Sequence, residues 1–410
     1  MSRINDLIKE MCPNGVEFKS LKEVFDIFSG MTGVTNKWAE EGNCQFIDYM
    51  NAYKNNKIDI TNLPYATVKN INQIILVQGD LLLTSASEVP DECAIASVIE
   101  DKIQDGVFMD DHLFGLRLKD EYKNIINTTF ISYYLNSKPF RCNLCKAVRG
   151  VTRFYISNKD YMKLNIPIPP IEIQKEIVRI LDKFGELEAE LEAELEVRKS
   201  QYEFWRGKLL KGTKRYKLDD IAKFTYGLTD KALESGTARY IRITDISEDG
   251  YLLDNDCKYL NITDDNSKYV LNKGDLVVAR TGASYGKTLY FDSDDPGIYA
   301  SFLIKIELDN NIILNRYYWH FSKSALYWNQ ANNLVSKAGQ PQFNSNAIKK
   351  LEIDIPSIEE QECIISILDK FDKLINDISI GLPAEIELRR KQYEYYRNKL
   401  LSFEELSVSE

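Results

Sequence analysis

The pentapeptide ILDKF occupies residues 180–184 and returns, letter for letter, at residues 367–371. Its flanks repeat as well: LNIPIPPIEIQKEIVRILDKF (164–184) and LEIDIPSIEEQECIISILDKF (351–371) are identical at 13 of 21 positions without a gap. Further along, ELEVRKSQYEFWRGKLL (194–210) and EIELRRKQYEYYRNKLL (385–401) agree at ten of 17 positions. The chain is therefore an internal duplication with a period of about 190 residues.

The repeated segment has the pattern of a long amphipathic helix. Apolar residues recur at spacings of three and four, as on one stripe of a helix, at Ile180, Phe184, Leu187, Leu191 and Leu195. A helix over about 172–210 would be roughly 55–60 Å long, and a stripe of that length needs an equally long partner. We therefore predict an antiparallel coiled coil of the two copies rather than a separate core helix in each half.

The second copy contains four extra residues with Gly381 and Pro383, which predict a kink near 381–383. Each helix follows a variable domain in which short β-rich runs alternate with turn residues, as in mixed α/β domains. The predicted fold is α+β: two tandem mixed α/β domains joined by two long helices, with a pseudo-two-fold internal repeat. The predicted boundaries are 1–165 for the first variable domain, 166–212 for the central helix, 213–350 for the second variable domain and 351–410 for the C-terminal helix.

Composition excludes several classes of protein. No apolar run of the 410 residues approaches the roughly 18–20 residues of a membrane span, and the N-terminus lacks a signal peptide's apolar core. The seven cysteines are scattered, with Cys142 and Cys145 forming a single CxxC, so we expect reduced thiols, a cytoplasmic protein and no metal site. Only His112 and His320 are present, in different halves, so no catalytic triad is expected.

The net charge is −10, yet each variable domain ends in a window without acidic residues. Residues 122–159 hold seven lysines and arginines, and residues 310–351 hold five. Aromatic residues interleave both windows. Solvated basic faces over core aromatics would give the same composition, but the duplication favours surfaces that contact phosphates.

The stretch ARTGASYGKT (279–288) has some features of a phosphate-binding loop, but only three residues separate Gly282 from Gly286 where that loop needs four. The first half reads TSASEVPDECA at this place and has no such loop. We therefore interpret the stretch as a loop that presents polar side chains to DNA, because such side chains read base edges or hold phosphates.

The chain resembles the specificity subunit of type I restriction–modification systems over nearly all of its length. The resemblance rests on CPNGVEFKSLKEV (12–24), on the paired ILDKF segments with their QYEFWRGKLL and QYEYYRNKLL tails, and on GDLVVARTGASYGK (274–287). It implies that each variable domain is a target recognition domain that reads one half of a bipartite, asymmetric site on double-stranded DNA. It also implies that the helices set the gap between the halves and dock two modification subunits.

The resemblance further implies that the chain itself is not an enzyme and holds no cofactor. S-adenosylmethionine would belong to the modification subunits, which methylate adenine, and ATP and Mg²⁺ to restriction subunits. An alternative is a symmetric coiled-coil adaptor whose variable domains bind proteins. The residues expected to contact DNA are Arg149, Thr152 and Arg153 in the first domain and Arg280, Thr281, Ser284, Tyr285, Lys287, Gln340 and Gln342 in the second.

Overall fold

The computed structural model describes residues 2–336, 341–377 and 380–406. Its contacts divide the chain into two compact units: unit 1 comprises residues 1–189 and 388–410, and unit 2 comprises residues 190–387. Each unit thus combines one variable domain with parts of both helical segments. The boundaries predicted above follow the sequence repeat rather than these contacts, and they stay predictions.

Unit 1 is a mixed α/β structure. Its helices are α1 (Ser2–Met11), α2 (Leu21–Val24), α3 (Tyr49–Lys54), α4 (Thr128–Leu135), α5 (Lys138–Leu144), α6 (Asn158–Tyr161) and the first part of α7 (Ile171–Leu209). Its strands are β1 (Phe18–Ser20), β2 (Phe25–Ser29), β3 (Val34–Ala39), β4 (Cys44–Ile47), β5 (Tyr65–Val68), β6 (Leu81–Thr84), β7 (Ala86–Ser87), β8 (Ala96–Val98), β9 (Val107–Met109), β10 (Leu113–Leu118), β11 (Phe154–Tyr155) and β12 (Asn165–Pro167). They form sheets in the orders β2-β10-β6-β8 and β3-β5-β4-β9, with two-stranded ribbons β1-β12 and β11-β7.

Unit 2 repeats this plan. Its strands are β13 (Lys214–Lys217), β14 (Ala222–Tyr226), β15 (Ala238–Ile241), β16 (Tyr259–Leu260), β17 (Val270–Leu271), β18 (Leu276–Ala279), β19 (Thr288–Tyr290), β20 (Gly297–Tyr299), β21 (Leu303–Leu308) and β22 (Glu352–Ile355). Its helices are the end of α7, α8 (Leu218–Ile221), α9 (Asn315–Ser322), α10 (Ala325–Leu334), α11 (Ser345–Ile348), α12 (Ile358–Asn376) and the start of α13 (Leu382–Leu400). The sheets run β14-β21-β18-β19 and β16-β15-β20-β17, with a ribbon β13-β22.

The core of each unit is completed by the end of a helical segment that follows the other variable domain. In unit 1, Ile173, Ile177 and Leu181 of α7 share a buried cluster with Leu400 and Leu401 at the end of the chain. In unit 2, Leu368 and Ile375 of α12 share a cluster with Tyr202 and Leu210 at the end of α7. The core of unit 1 therefore includes residues that follow the second variable domain, and the core of unit 2 includes residues that follow the first.

A buried glutamine explains why IEIQ and IEEQ recur. The side chain of Gln174 accepts a hydrogen bond from the Asn127 amide and donates to the carbonyls of Ile125 and Pro169. Gln361 makes the same three bonds, accepting from Leu314 N and donating to the carbonyls of Ile312 and Pro356. Each glutamine is fully buried, so it satisfies backbone groups that would otherwise be costly to desolvate.

The aromatic residues of the repeat also make matching contacts. In unit 1 the Phe184 ring lies 6.3 Å from that of Tyr393 and 5.5 Å from that of Tyr396. In unit 2 the Phe371 ring lies 6.1 Å from that of Tyr202. Four residues after Phe184, Glu188 pairs with Arg390, so within unit 1 the two segments run in opposite directions. The coiled coil along the whole of both helices stays a prediction.

The interruption predicted near 381–383 is present, because α12 ends at Asn376 and α13 begins at Leu382. Gly381 lies so close to the end of α12 that an added Cβ would stand 2.6 Å from the carbonyl oxygens of Lys373 and Asp377. A side chain cannot fit there without a backbone shift, which accounts for the glycine. In the described part of the chain, every helix is too short or too polar to cross a bilayer.

Candidate nucleic-acid interface

In each unit, the segment that follows strand β6 or β18 pairs with a loop late in the variable domain. In unit 1, β7 pairs with β11, and Arg149 bridges to Tyr155. In unit 2, Thr281 and Ser336 both bridge to Gln342. Tyr155 and Gln342 are thus equivalent. The structure thereby brings Arg149, Thr152 and Arg153 together in one loop, and Arg280, Thr281 and Gln342 together in the other unit.

The unit 1 loop is a tight turn built on Gly150. Its φ is +123°, and an added Cβ would meet the Arg153 carbonyl oxygen at 2.0 Å. Only glycine tolerates that conformation and approach. The turn exposes Thr152 and Arg153. Arg149 is exposed as well, although its guanidinium stands 3.4 Å from the Asp160 carboxylate.

A cleft of about 750 Å³ opens beneath this turn, and we call it cleft 1. Its walls come from the turn, from the segment after β7 and from helix α3, with Thr152, Arg153, Ser87, Glu88, Glu92, His112, Tyr49 and Tyr53 among the lining residues. Tyr53 donates to Glu92, and Tyr49 donates to the Ala86 carbonyl. Arg153 has no hydrogen-bond or ion-pair partner among the described residues, so its guanidinium is available to a ligand.

The acidic group beside cleft 1 orients His112. Asp110, Asp111 and His112 lie close enough to share a cation, but the Lys37 ammonium already contacts both carboxylates, 2.9 Å from Asp110. Asp110 accepts hydrogen bonds from the His112 amide and its Nδ1. The group is therefore a turn that holds the imidazole at the rim of the cleft, with its two carboxylates already in contact with Lys37.

In unit 2 the predicted residues fall into two groups. Arg280 is half-exposed and Gln342 is half-buried, next to each other on paired segments. Thr281, in contrast, is only 3% exposed. Its burial argues against the direct DNA contact expected from the sequence, because its backbone forms the bridge to Gln342 and turns the side chain inward. Gln340 lies outside the described residues.

The rest of the GASYGK stretch is tied to the protein. The Lys287 side chain is 13% exposed and pairs with Glu248. Tyr285 donates to Asn332 and packs against Trp328 and Phe343, while Ser284 is half-buried. The turn leads into strand β19 rather than into a helix, so it lacks the helix N-terminus that a phosphate-binding loop uses.

Several cations of the acid-free windows are internal. The Arg141 guanidinium donates to the carbonyls of Asp91, Cys93 and Ala94. Arg316 pairs with Asp369, and Lys323 with Asp372. The expectation that these windows form phosphate-contacting surfaces is therefore wrong for these three residues. Their carboxylate or carbonyl partners come from distant parts of the sequence, which a local count of charges cannot reveal.

Lys323 and Asp372 belong to a polar network buried in unit 2. Their charged atoms are 2.7 Å apart, and Asp372 is 1% exposed. Burial lowers the pKa of Lys323 and raises that of Asp372. His320 Nε2 stands 2.7 Å from Asp369, and its Nδ1 stands 3.2 Å from the Tyr202 hydroxyl. Burial lowers the pKa of His320 to about 4, so a neutral ring donates to Asp369 and accepts from Tyr202.

The sequence did not single out the residues directly before strands β10 and β21 as parts of these sites. The Ser85 amide donates to the His112 carbonyl, and the Arg280 amide donates to the Phe302 carbonyl, each at 3.0 Å. His112 and Phe302 are thus equivalent, and so are Ser85 and Arg280. Phe302 is 51% accessible directly before an apolar strand, and this exposure is visible only in the structure.

Comparison with known proteins assigns the family. The family model described as the type I restriction modification DNA specificity domain matches twice, over residues 13–197 and 211–388. The specificity subunit of the EcoR124I/EcoR124II type I restriction enzyme of Escherichia coli is 34% identical over 310 residues, covering 69% of this chain and 72% of the relative. The EcoprrI specificity subunit, also of Escherichia coli, is 28% identical, with 92% and 93% covered.

Solved structures agree on the fold. A chain from a study of complex assembly and conformational transition in the type I R-M system matches with a TM-score of 0.64 at 14% identity, covering 95% of this chain and 98% of that chain. The S subunit of a type I restriction–modification system from M. genitalium matches with a TM-score of 0.53 at 15% identity, covering 94% and 96%. With a duplicated family domain over most of its length, the chain belongs to the type I restriction–modification specificity subunits.

Proposed function

We propose that the chain is the DNA sequence-recognition subunit of a type I restriction–modification complex. Each variable domain reads one half of a bipartite, asymmetric site, and the long helices set the gap between the halves. The observation that carries the proposal is the pair of equivalent but chemically different sites: Arg149, Thr152 and Arg153 above cleft 1, and Arg280 with Gln342 in unit 2. A shared scaffold that presents unlike side chains suits two unlike half-sites.

The chemistry of modification and restriction resides in partner subunits. Two modification subunits supply S-adenosylmethionine and methylate adenine, and restriction subunits supply ATP-driven cleavage with Mg²⁺. The net charge of −10 fits that division, because partners can contribute phosphate contacts. The complex acts on double-stranded DNA in the cytoplasm.

The helices carry a duplicated surface suited to those partners, which we call the stripes. Stripe A comprises Val197, Phe204 and Lys208 on α7, and stripe B comprises Leu388, Tyr395 and Lys399 on α13. The apolar members are 54%, 63%, 67% and 60% exposed in chain order. They are seven residues apart on each helix and so share a face. Each lysine ammonium lies near its aromatic ring, 5.9 Å from Phe204 and 5.8 Å from Tyr395.

Exposed apolar pairs of this kind mark protein interfaces. Because the stripes occupy equivalent positions in the repeat and match in chemistry, they fit two copies of one partner rather than two different partners. We assign that partner as the modification subunit. In this proposal, protein binding takes place at the stripes on the helices. The variable domains are therefore left to read DNA, whereas in the adaptor alternative they would bind proteins.

Replacing Phe204 by aspartate is expected to remove one of the two modification subunits, because a buried aromatic anchor at an interface is worth roughly 2–4 kcal/mol. The single variant should form a one-to-one complex, and the Phe204→Asp, Tyr395→Asp double variant should bind neither copy. Phe204→Tyr is the matched control, since it installs the residue of stripe B and should keep both. Mass photometry of the mixed subunits gives the stoichiometry. Two bound copies on the double variant would contradict the assignment.

Salt separates DNA recognition from the adaptor alternative. If several phosphates are contacted, the affinity of the assembled complex for DNA should fall by roughly 10³-fold or more between about 50 and 200 mM salt. Fluorescence anisotropy measures this dependence, with a labelled duplex that contains the sequence methylated by the complex. A complex that fails to bind the duplex at low salt, while its subunits remain associated, would favour the adaptor.

A further inference from the structure

We propose that Arg280 reads a guanine in the half-site bound by unit 2, and that Tyr226 and Phe302 hold its guanidinium in position for that contact. This inference rests on the proposed function and names one base of the site.

The Arg280 side chain lies against two aromatic rings. Its guanidinium carbon lies 5.2 Å from the centre of the Tyr226 ring and 5.6 Å from that of the Phe302 ring. Its Nε donates to the Ser301 carbonyl at 3.0 Å. Tyr226 is fixed in turn by Ser345, whose amide donates to its hydroxyl at 3.2 Å. The planar group therefore has little rotational freedom to lose on binding.

Within the described residues, the Nη1 and Nη2 atoms at the outer edge of the Arg280 guanidinium have no hydrogen-bond partner. The other six arginines of unit 2 each pair with a carboxylate: Arg198, Arg206, Arg215, Arg239, Arg242 and Arg316. Tyr226 and Phe302 are 41% and 51% exposed, so the held group lies at the surface rather than in the core. These two oriented nitrogens form a fork of hydrogen-bond donors, and such a fork is suited to a pair of acceptors on a ligand.

A guanine explains this arrangement better than a phosphate does. Phosphates occur in every DNA sequence, so a phosphate contact should call for a cation at the same place in both units. The equivalent residue of unit 1 is Ser85, as the matching backbone hydrogen bonds show. The residue at this position thus changes with the domain, as a base-reading residue should. Guanine N7 and O6 are the pair of acceptors that an arginine fork binds in the major groove.

The test is a modification assay with the complex of this chain and its modification subunits on a randomised DNA library, followed by sequencing of the methylated molecules. Arg280→Ala is expected to relax one G·C position of one half-site by roughly 10- to 100-fold in discrimination and to leave the other half unchanged. Arg280→Lys should relax the same position, because a single ammonium cannot replace the fork. Phe302→Leu should relax it more weakly by loosening the fork.

Lys350→Ala is the charge-matched control, because it removes an exposed cation of unit 2 and should weaken binding without altering the consensus. Thermal unfolding of each variant confirms that unit 2 is folded. An unchanged consensus with Arg280→Ala, uniform weakening at all positions or relaxation at an A·T position would overturn the inference. If the unmodified chain gave no two-part consensus, the proposed function itself would fail, which is a distinguishable result.

Discussion

Asp372→Ala is expected to destabilise unit 2 by roughly 3–5 kcal/mol, because it removes the carboxylate partner of a buried lysine. The Lys323 side chain is 9% exposed and lies 2.7 Å from Asp372, and its ammonium also lies 3.9 Å from the centre of the Trp319 ring. With Asp372 gone, Lys323 must either bury an unpaired charge or lose its proton. Denaturant unfolding followed by tryptophan fluorescence reports mainly on unit 2, which contains Trp205, Trp319 and Trp328.

Unit 1 supplies the matched control for this prediction. Asn127 and Leu314, whose amides bond to the buried glutamines, are equivalent, and nine residues after them stand Asn136 and Lys323. Eleven residues after the glutamines themselves stand Gly185 and Asp372. Unit 1 therefore has Asn136 and Gly185 where unit 2 has the ion pair. The double variant Lys323→Asn, Asp372→Gly should therefore recover most of the loss, apart from about 1 kcal/mol for glycine within a helix. A double variant as unstable as Asp372→Ala would show that the ion pair is not the cause.

Removing residues 189–192, about one helical turn, is expected to change the gap between the two half-sites while both recognised sequences are retained. Four residues account for about 6 Å of helix, so the register between the parts of α7 that serve the two units is altered. Sequencing of DNA methylated by the assembled complex measures the gap directly. Glu190→Gln, which keeps the helix length, should leave the gap unchanged. A deletion variant with the original gap would show that α7 does not set the spacing.

The helical framework follows from the sequence because its signals are local or repeated. The apolar stripe predicts a helix over about 172–210, and α7 spans Ile171–Leu209. Gly381 and Pro383 mark the interruption between α12 and α13. These features depend on spacing and on residues that disfavour helix, both of which can be read from one chain.

The candidate sites follow from the sequence only in part. The duplicated acid-free windows pointed to the loop that contains Arg153, and the polar side chains of ARTGASYGKT pointed to the loop that contains Arg280. Burial of Thr281 and the pairing of Lys287 with Glu248 depend on strand pairing and on a distant loop. The internal roles of Arg316 and Lys323 depend on aspartates of α12. Such partners are set by tertiary packing, and no local pattern reveals them.

In the proposed function, two unlike domains on a shared scaffold each read half of one DNA site. The decisive measurement is single-molecule sequencing of DNA methylated by this chain with its modification subunits. We expect a single two-part, asymmetric consensus with a constant gap of unspecified bases. Methylation without a consensus, or at one uninterrupted sequence, would contradict it.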